Sequence, residues 1–209
     1  MPTSSQSDPT SFGAEQSRDL SALSGRAPAL ALESRIEVYK TSPEMFTSQK
    51  LQALYDHWEG LRSGHAIPRS RDLSPINVGF ILGQITLVDV LSGPLNFYYR
   101  LIGTRIEELG RHGDQGKTVD QIRPACYRQL CRDAYHEAVE TAAPLCLRIC
   151  RRQSDGEVGY ERMILPFGGD EGRVVTLLDA LDWAPGVQIE LQRLRLLPSA
   201  NVPVDMVFS

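Results

Sequence analysis

The chain has 209 residues, 42% of them hydrophobic, enough for one well-packed domain with tails or two very small ones. Its 22 Lys and Arg face 26 Asp and Glu, a formal net charge of −4, and the basic residues are scattered, which argues against nucleic acid as a partner. No apolar run approaches the roughly 20 residues that span a bilayer, and the opening MPTSSQSDPTSFGAEQSRDL lacks the basic-then-apolar order of a secretory leader, so a cytoplasmic protein with no membrane partner is expected.

Met1 to about Leu32 is rich in Ser, Pro, Ala and Gly and nearly devoid of β-branched and aromatic residues. It cannot bury enough apolar surface to offset its conformational entropy, so residues 1–46 are expected to be a mostly disordered tail. The spacing of Leu51, Leu54, Tyr55, Trp58 and Leu61 predicts an amphipathic helix over Ser48–Arg62, with Thr47 or Ser48 capping its start and Gly64 beyond its end. Its stripe of Leu54, Trp58 and Leu61 must pack on its own sheet or on a second copy of the chain, which makes these residues a candidate dimer surface.

A connection over Gly64–Pro75 precedes a helical turn at Val78–Leu82. Ile85–Val90 is dense in β-branched residues and reads as a strand; Ser92-Gly93-Pro94 turns the chain into a second strand, Phe97–Ile102. Thr104–Leu109 is at best a short helix, and Gly110, Gly113 and Gly116 make the following loop an irregular cover of the kind that sits over a ligand cavity. These glycines lack the strand-to-helix arrangement of a phosphate loop. A long helix is expected over Pro124–Thr141, its apolar stripe formed by Tyr127, Leu130, Cys131, Ala134, Ala138 and Ala142, and Pro144 forbids its continuation. Leu145–Arg151 and Val158–Leu165 form a hairpin across the Asp155-Gly156 turn, and Arg173–Asp179 is the last strand. Residues 184–209 are a C-terminal extension whose leucines between Ile189 and Leu197 suit a short amphipathic helix. The four cysteines, Cys126, Cys131, Cys146 and Cys150, show no CxxC spacing and read as reduced, mostly buried thiols, with no metal site and no disulfide.

The element order describes an α+β domain over residues 47–183: a five-stranded antiparallel sheet covered by helices on one face, preceded by the amphipathic helix. The residues that carry a more specific resemblance are Ile67-Pro68-Arg69 with Arg71-Asp72-Leu73-Ser74-Pro75, then Ile81-Leu82-Gly83-Gln84-Ile85, then the block from Phe97 to Arg105, FYYRLIGTR. In these the chain resembles a bacterial family of stand-alone PAS-like sensor domains, over about Thr47 to Trp183. The glycine loop departs from that family's Leu-x-Gly-Arg-Asp-x-Thr-Gly pattern, so no ligand contact carries over from it.

The resemblance implies a sensory or regulatory module that binds a small molecule, dimerises, or both, and passes its signal to a separate protein, with no output domain in this chain. The expected pocket residues are Tyr99 and Arg100 on the second strand and Tyr127 and Cys131 on the long helix. Arg100 and Arg105 suit either anion recognition or a structural pair with a carboxylate such as Asp89 or Glu107. No cofactor is predicted. Haem is disfavoured because His136 shares a helix face with Arg132 and Glu140, opposite the apolar stripe. Flavin photochemistry is disfavoured because Cys126 lacks the Asn-Cys-Arg-Phe-Leu context. The histidines, His57, His65, His112 and His136, are spread over helix, linker and loop without a nucleophile partner, so no catalytic residues are assigned. The alternatives are a small enzyme with a cone-shaped α+β cavity, which requires an inward-facing His or carboxylate, and a purely structural interaction module.

Overall fold

The computed structural model describes residues 36–183, apart from 112, 154 and 155. The expected N-terminal disorder up to Leu32, the Asp155 turn position and the leucine-rich C-terminal helix lie outside the described residues. Six antiparallel strands form one sheet: β1 (Ile36–Thr41), β2 (Ile85–Ser92), β3 (Leu95–Ile102), β4 (Leu145–Gln153), β5 (Gly156–Gly168) and β6 (Val174–Trp183), in the spatial order β1-β4-β5-β6-β2-β3. Five of these are the expected strands. The sixth, β1, lies in the segment expected to be tail; IEVYKT pairs with β4 along Ile36–Thr41 opposite Arg151–Cys146. The hairpins β2–β3, β4–β5 and β5–β6 follow the short connections, with Gln153 paired to Gly156.

Helix α1 (Gln49–Leu61) begins where the Ser48 hydroxyl accepts a hydrogen bond from the Leu51 N–H at 3.1 Å. Its stripe of Leu51, Leu54 and Trp58 is buried against the outer face of β5 and β6, among Ile85, Cys146, Met163, Leu165 and Phe167. Each such leucine contributes about 1.5–3 kcal/mol by leaving water. The Trp58 indole N–H is satisfied by the Pro166 carbonyl at 2.9 Å. Leu54 and Trp58, considered above as a dimer surface, are 1% exposed inside the chain's own core, and Leu61 is half-buried beside them. Packing on their own sheet satisfies the stripe.

The opposite, inner face carries the short helix α2 (Thr104–Ile106) and the long helix α3 (Ala125–Thr141). Helices therefore cover both faces rather than one. Helix α3 buries Leu130, Cys131, Ala134, Tyr135 and Ala138 against Leu145, Leu147, Ile149, Tyr160, Ile164, Leu177 and Leu181. It ends at Ala142, which adopts a left-handed φ of 47°, and Pro144 follows. No helix among the described residues is long and apolar enough to cross a membrane.

The sequence blocks around Gly83 and Gly103 are packed backbone to backbone. A Cβ on Gly103 would stand 2.4 Å from the Gly83 carbonyl oxygen and 2.7 Å from that of Leu82. Gln84, buried beside this contact, donates to the Leu181 carbonyl at 3.1 Å and the Asp182 carboxylate at 2.7 Å, and accepts from Lys50 at 2.8 Å. These contacts tie the start of β2 to β6 and α1.

Candidate functional site

Strand alternation points Tyr160, Arg162 and Ile164 of β5 and Leu177, Asp179 and Leu181 of β6 toward α3. Two of these six are charged. Arg162 and Asp179 are both fully buried. An isolated charge there would be prohibitively desolvated. Each instead completes the other: Arg162 Nε donates to Asp179 Oδ1 at 2.9 Å and Nη2 to Oδ2 at 2.8 Å, the parallel fork that guanidinium and carboxylate favour. The Tyr135 hydroxyl donates to Asp179 Oδ2 at 2.7 Å, and Cys131 Sγ lies 3.5 Å from Arg162 Nη2. The guanidinium sits 5.3 Å from the centre of the Tyr135 ring.

A second guanidinium reaches the same face from the glycine loop. A π-helical turn, Glu107–Arg111, extends α2. Gly113 and Gly116 then adopt φ of 77° and 83°, which only glycine takes without strain. The turned chain pairs with the free edge of β3: Gly116 N–H donates to the Tyr99 carbonyl and Tyr99 N–H to the Lys117 carbonyl, each at 2.9 Å. This brings Arg111, 7% exposed, over the ring of Tyr99 at 4.5 Å and that of Tyr127 at 5.2 Å. Its Nη1 donates to the Tyr127 hydroxyl at 3.1 Å, while its Nε reaches Asp114 only at 3.4 Å. Lys117 lies 3.8 Å from the other Asp114 oxygen.

Among the described residues, four buried polar atoms on this face have no hydrogen-bond partner of good geometry: Thr86 Oγ1, the Tyr99 hydroxyl, which has only the Tyr135 hydroxyl beside it, Arg111 Nη2 and Arg162 Nη1. Thr86 belongs here because it stands opposite Asp179 in the β2–β6 register. An unmet buried donor costs about 1–3 kcal/mol, so their concentration on one face is the most unusual feature of the core. Burial pushes the Tyr99 phenol above its ordinary range, with Cys131 adding to the shift and Arg111 opposing it. Burial likewise raises Tyr127, Tyr135 and Tyr160. All four phenols therefore keep their protons at neutral pH, that of Tyr135 being given to Asp179.

Three of the four expected pocket residues, Tyr99, Tyr127 and Cys131, meet in this cluster. Arg100 does not. It follows Tyr99 on β3, so pleating sends it outward, where its Nε lies 3.5 Å from Asp89, the structural pairing considered above. His136 is not on a solvated face; it is half-buried, its ring edge-on to Phe97 at 5.3 Å. Cys131, Cys146 and Cys150 are buried thiols outside any disulfide, and among the described residues no three His, Cys, Asp or Glu could hold a metal ion together. The inner face also holds Arg111, Arg162, Asp179 and Tyr135, which the sequence reading does not single out. The signal was available for two of them: a charged residue at inward parity in the middle of an apolar strand.

Residues 46–182 match the family described as "PAS domain". The chain is similar to several solved structures. One is an RNA-binding light-oxygen-voltage receptor (20% identity, TM-score 0.38, covering 64% of this chain and 39% of that one). Another is the PAS domain of a protein from Colwellia psychrerythraea (18%, 0.32, covering 48% and 86%). A third is a fungal LOV domain photoreceptor (17%, 0.30, covering 48% and 74%). The matched part thus spans 39% of the first of these proteins. Among curated proteins none matches.

Proposed function

The chain belongs to the PAS domain family across residues 46–182, and from that premise we propose that it is a sensory or regulatory module whose signal is a small molecule held on the inner face of the sheet. The observation that supports this reading is the group of buried donors on Thr86, Tyr99, Arg111 and Arg162 that no protein acceptor meets. A core that served packing alone would gain from replacing them with apolar groups. A bound molecule offering acceptors would recover their desolvation cost and couple its own presence to the position of the Arg111 loop. Transmission to a partner protein belongs to the same reading.

An enzymatic role would need a free base on this face. Among the described residues Asp179 is the inward carboxylate of the sheet, but both its oxygens accept from Arg162 and one also from Tyr135, and the buried Asp114 of the glycine loop lies against Arg111 and Lys117. That arrangement favours binding over proton transfer.

Native mass spectrometry of freshly purified full-length protein, together with its absorption spectrum, tests the proposal. A co-purifying mass released by denaturation is expected, and its loss should lower the unfolding temperature. A protein that carries no added mass and whose stability no small molecule changes would sink it.

A further inference from the structure

Resting on the reading of the inner face as a ligand site, we propose that its ligand is a small monocarboxylate with a flat apolar body, its carboxylate held between Arg111 and Arg162. The groups without partners decide the chemistry. Guanidinium Nη2 of Arg111 and Nη1 of Arg162 can only donate, and the Tyr99 phenol, kept protonated by burial, donates as well. The ligand must therefore present acceptors, and a carboxylate matches the planar donor edge of a guanidinium.

The charges of the site choose between anions. Arg162 is matched by Asp179, and Arg111 and Lys117 share the single carboxylate of Asp114 at the longer distances of 3.4 and 3.8 Å. Lys117 is 44% exposed and screened by water, so the face carries at most one surplus positive charge. A monoanion neutralises it, whereas a phosphate dianion would leave a net negative charge desolvated in the core. The aromatic side chains choose the body of the ligand. Arg111 stacks on Tyr99 and Arg162 on Tyr135. The Tyr99 and Tyr135 ring centres are 6.2 Å apart, and Phe97 lies 5.2 Å from Tyr135. With the guanidinium groups on the Tyr99 and Tyr135 faces, ring edges and Phe97 are what remain for the body of a ligand, which favours a flat apolar partner packed edge to face.

The test is calorimetric titration of the full chain at pH 7 with benzoate, benzyl alcohol and phenyl phosphate, on wild type and on Arg111→Gln. Benzoate should bind at least about tenfold more tightly than either comparison compound, as expected for a charge-assisted hydrogen-bond pair. Arg111→Gln should abolish that preference while retaining the affinity for benzyl alcohol. If benzyl alcohol or phenyl phosphate binds as well as benzoate, or if Arg111→Gln keeps the preference, the carboxylate assignment is overturned and the ligand site itself stands. If none of the three binds, and no arginine side-chain NMR signal of wild type moves with any of them, both the assignment and the site reading fail. Should Arg111→Gln not fold, the wild-type spectra decide. Two arginine Nε–H signals moving with benzoate and not with benzyl alcohol support the proposal, and equal movement with both overturns it.

Discussion

Replacing Asp179 by leucine should unfold the protein more effectively than so nearly isosteric a change suggests. The carboxylate accepts three hydrogen bonds, two from Arg162 at 2.9 and 2.8 Å and one from Tyr135 at 2.7 Å, with neither charged partner exposed. Without it, Arg162 keeps the 3.5 Å contact to Cys131 Sγ and the Tyr135 ring and stays charged in the core. Breaking a buried pair from one side costs about 3–5 kcal/mol, a large part of the 5–15 kcal/mol that holds a typical domain together. Arg162→Met should cost a similar amount by stranding the carboxylate. The double variant removes both charges, so its remaining deficit is chiefly the Tyr135 hydroxyl, about 1–3 kcal/mol. Urea unfolding followed by tryptophan fluorescence at 15 °C measures all four corners of the cycle. A coupling of at least about 3 kcal/mol is expected. A single-variant loss below about 1 kcal/mol, or a double variant as unstable as the two losses added, would refute the account of this pair as mutually dependent.

Gly103→Ala should cost about 3 kcal/mol or prevent folding, because the new Cβ meets fixed backbone oxygens at 2.4 and 2.7 Å rather than a side chain that can turn away; a urea midpoint within error of wild type would show that the chain opens there easily. Glu161 lies below its usual value of 4.5 despite the opposing effect of its burial, because Thr47, Ser48 and Arg148 donate to it. Its stabilising contribution is therefore complete above pH 4.5 and lost as pH falls through the lower folded value. The stability advantage of wild type over Glu161→Gln should shrink across that acid range in urea titrations, and a pH-independent gap would contradict it. Burial, with Glu44 adding, pushes the Cys146 thiol up to about 12. Iodoacetamide at pH 8 should therefore leave Cys146 unmodified until urea is added, read by peptide mass; labelling of the folded protein would contradict the prediction.

Periodicity in the sequence was enough to place α1, α3 and the five strands β2 to β6, because their apolar residues recur at helical or alternating spacing. It did not reveal β1, a short edge strand whose pairing with β4 depends on a partner more than 100 residues away. The same limit explains the site. Tyr99, Tyr127 and Cys131 were legible as inward positions on their own elements. Arg111 was not, because its burial comes from a π-helical turn and two positive-φ glycines that have no periodic signature. Arg162 and Asp179 could have been noticed as charges on apolar strands. Their pairing, however, crosses two strands, and the Tyr135 hydroxyl that joins it comes from a third element. Arg100 failed as a pocket residue for a local reason: adjacent residues on a strand face opposite ways, so it and Tyr99 could not both point inward.

The pleat of β5 has a mechanical consequence. Glu161 and Arg162 are neighbours in sequence yet serve opposite sides of the sheet: one anchors the backbone of Thr47 and Ser48 at the entrance to α1, the other clasps Asp179 beneath α3. On β6 the step from Leu181 to Asp182 repeats the arrangement, with Asp182 accepting from the Ser48 hydroxyl. A shift of either strand by a fraction of a residue would displace both anchors together, like two ends of one short rocker. The distance from the buried charges to the outer helix is thus a single peptide unit.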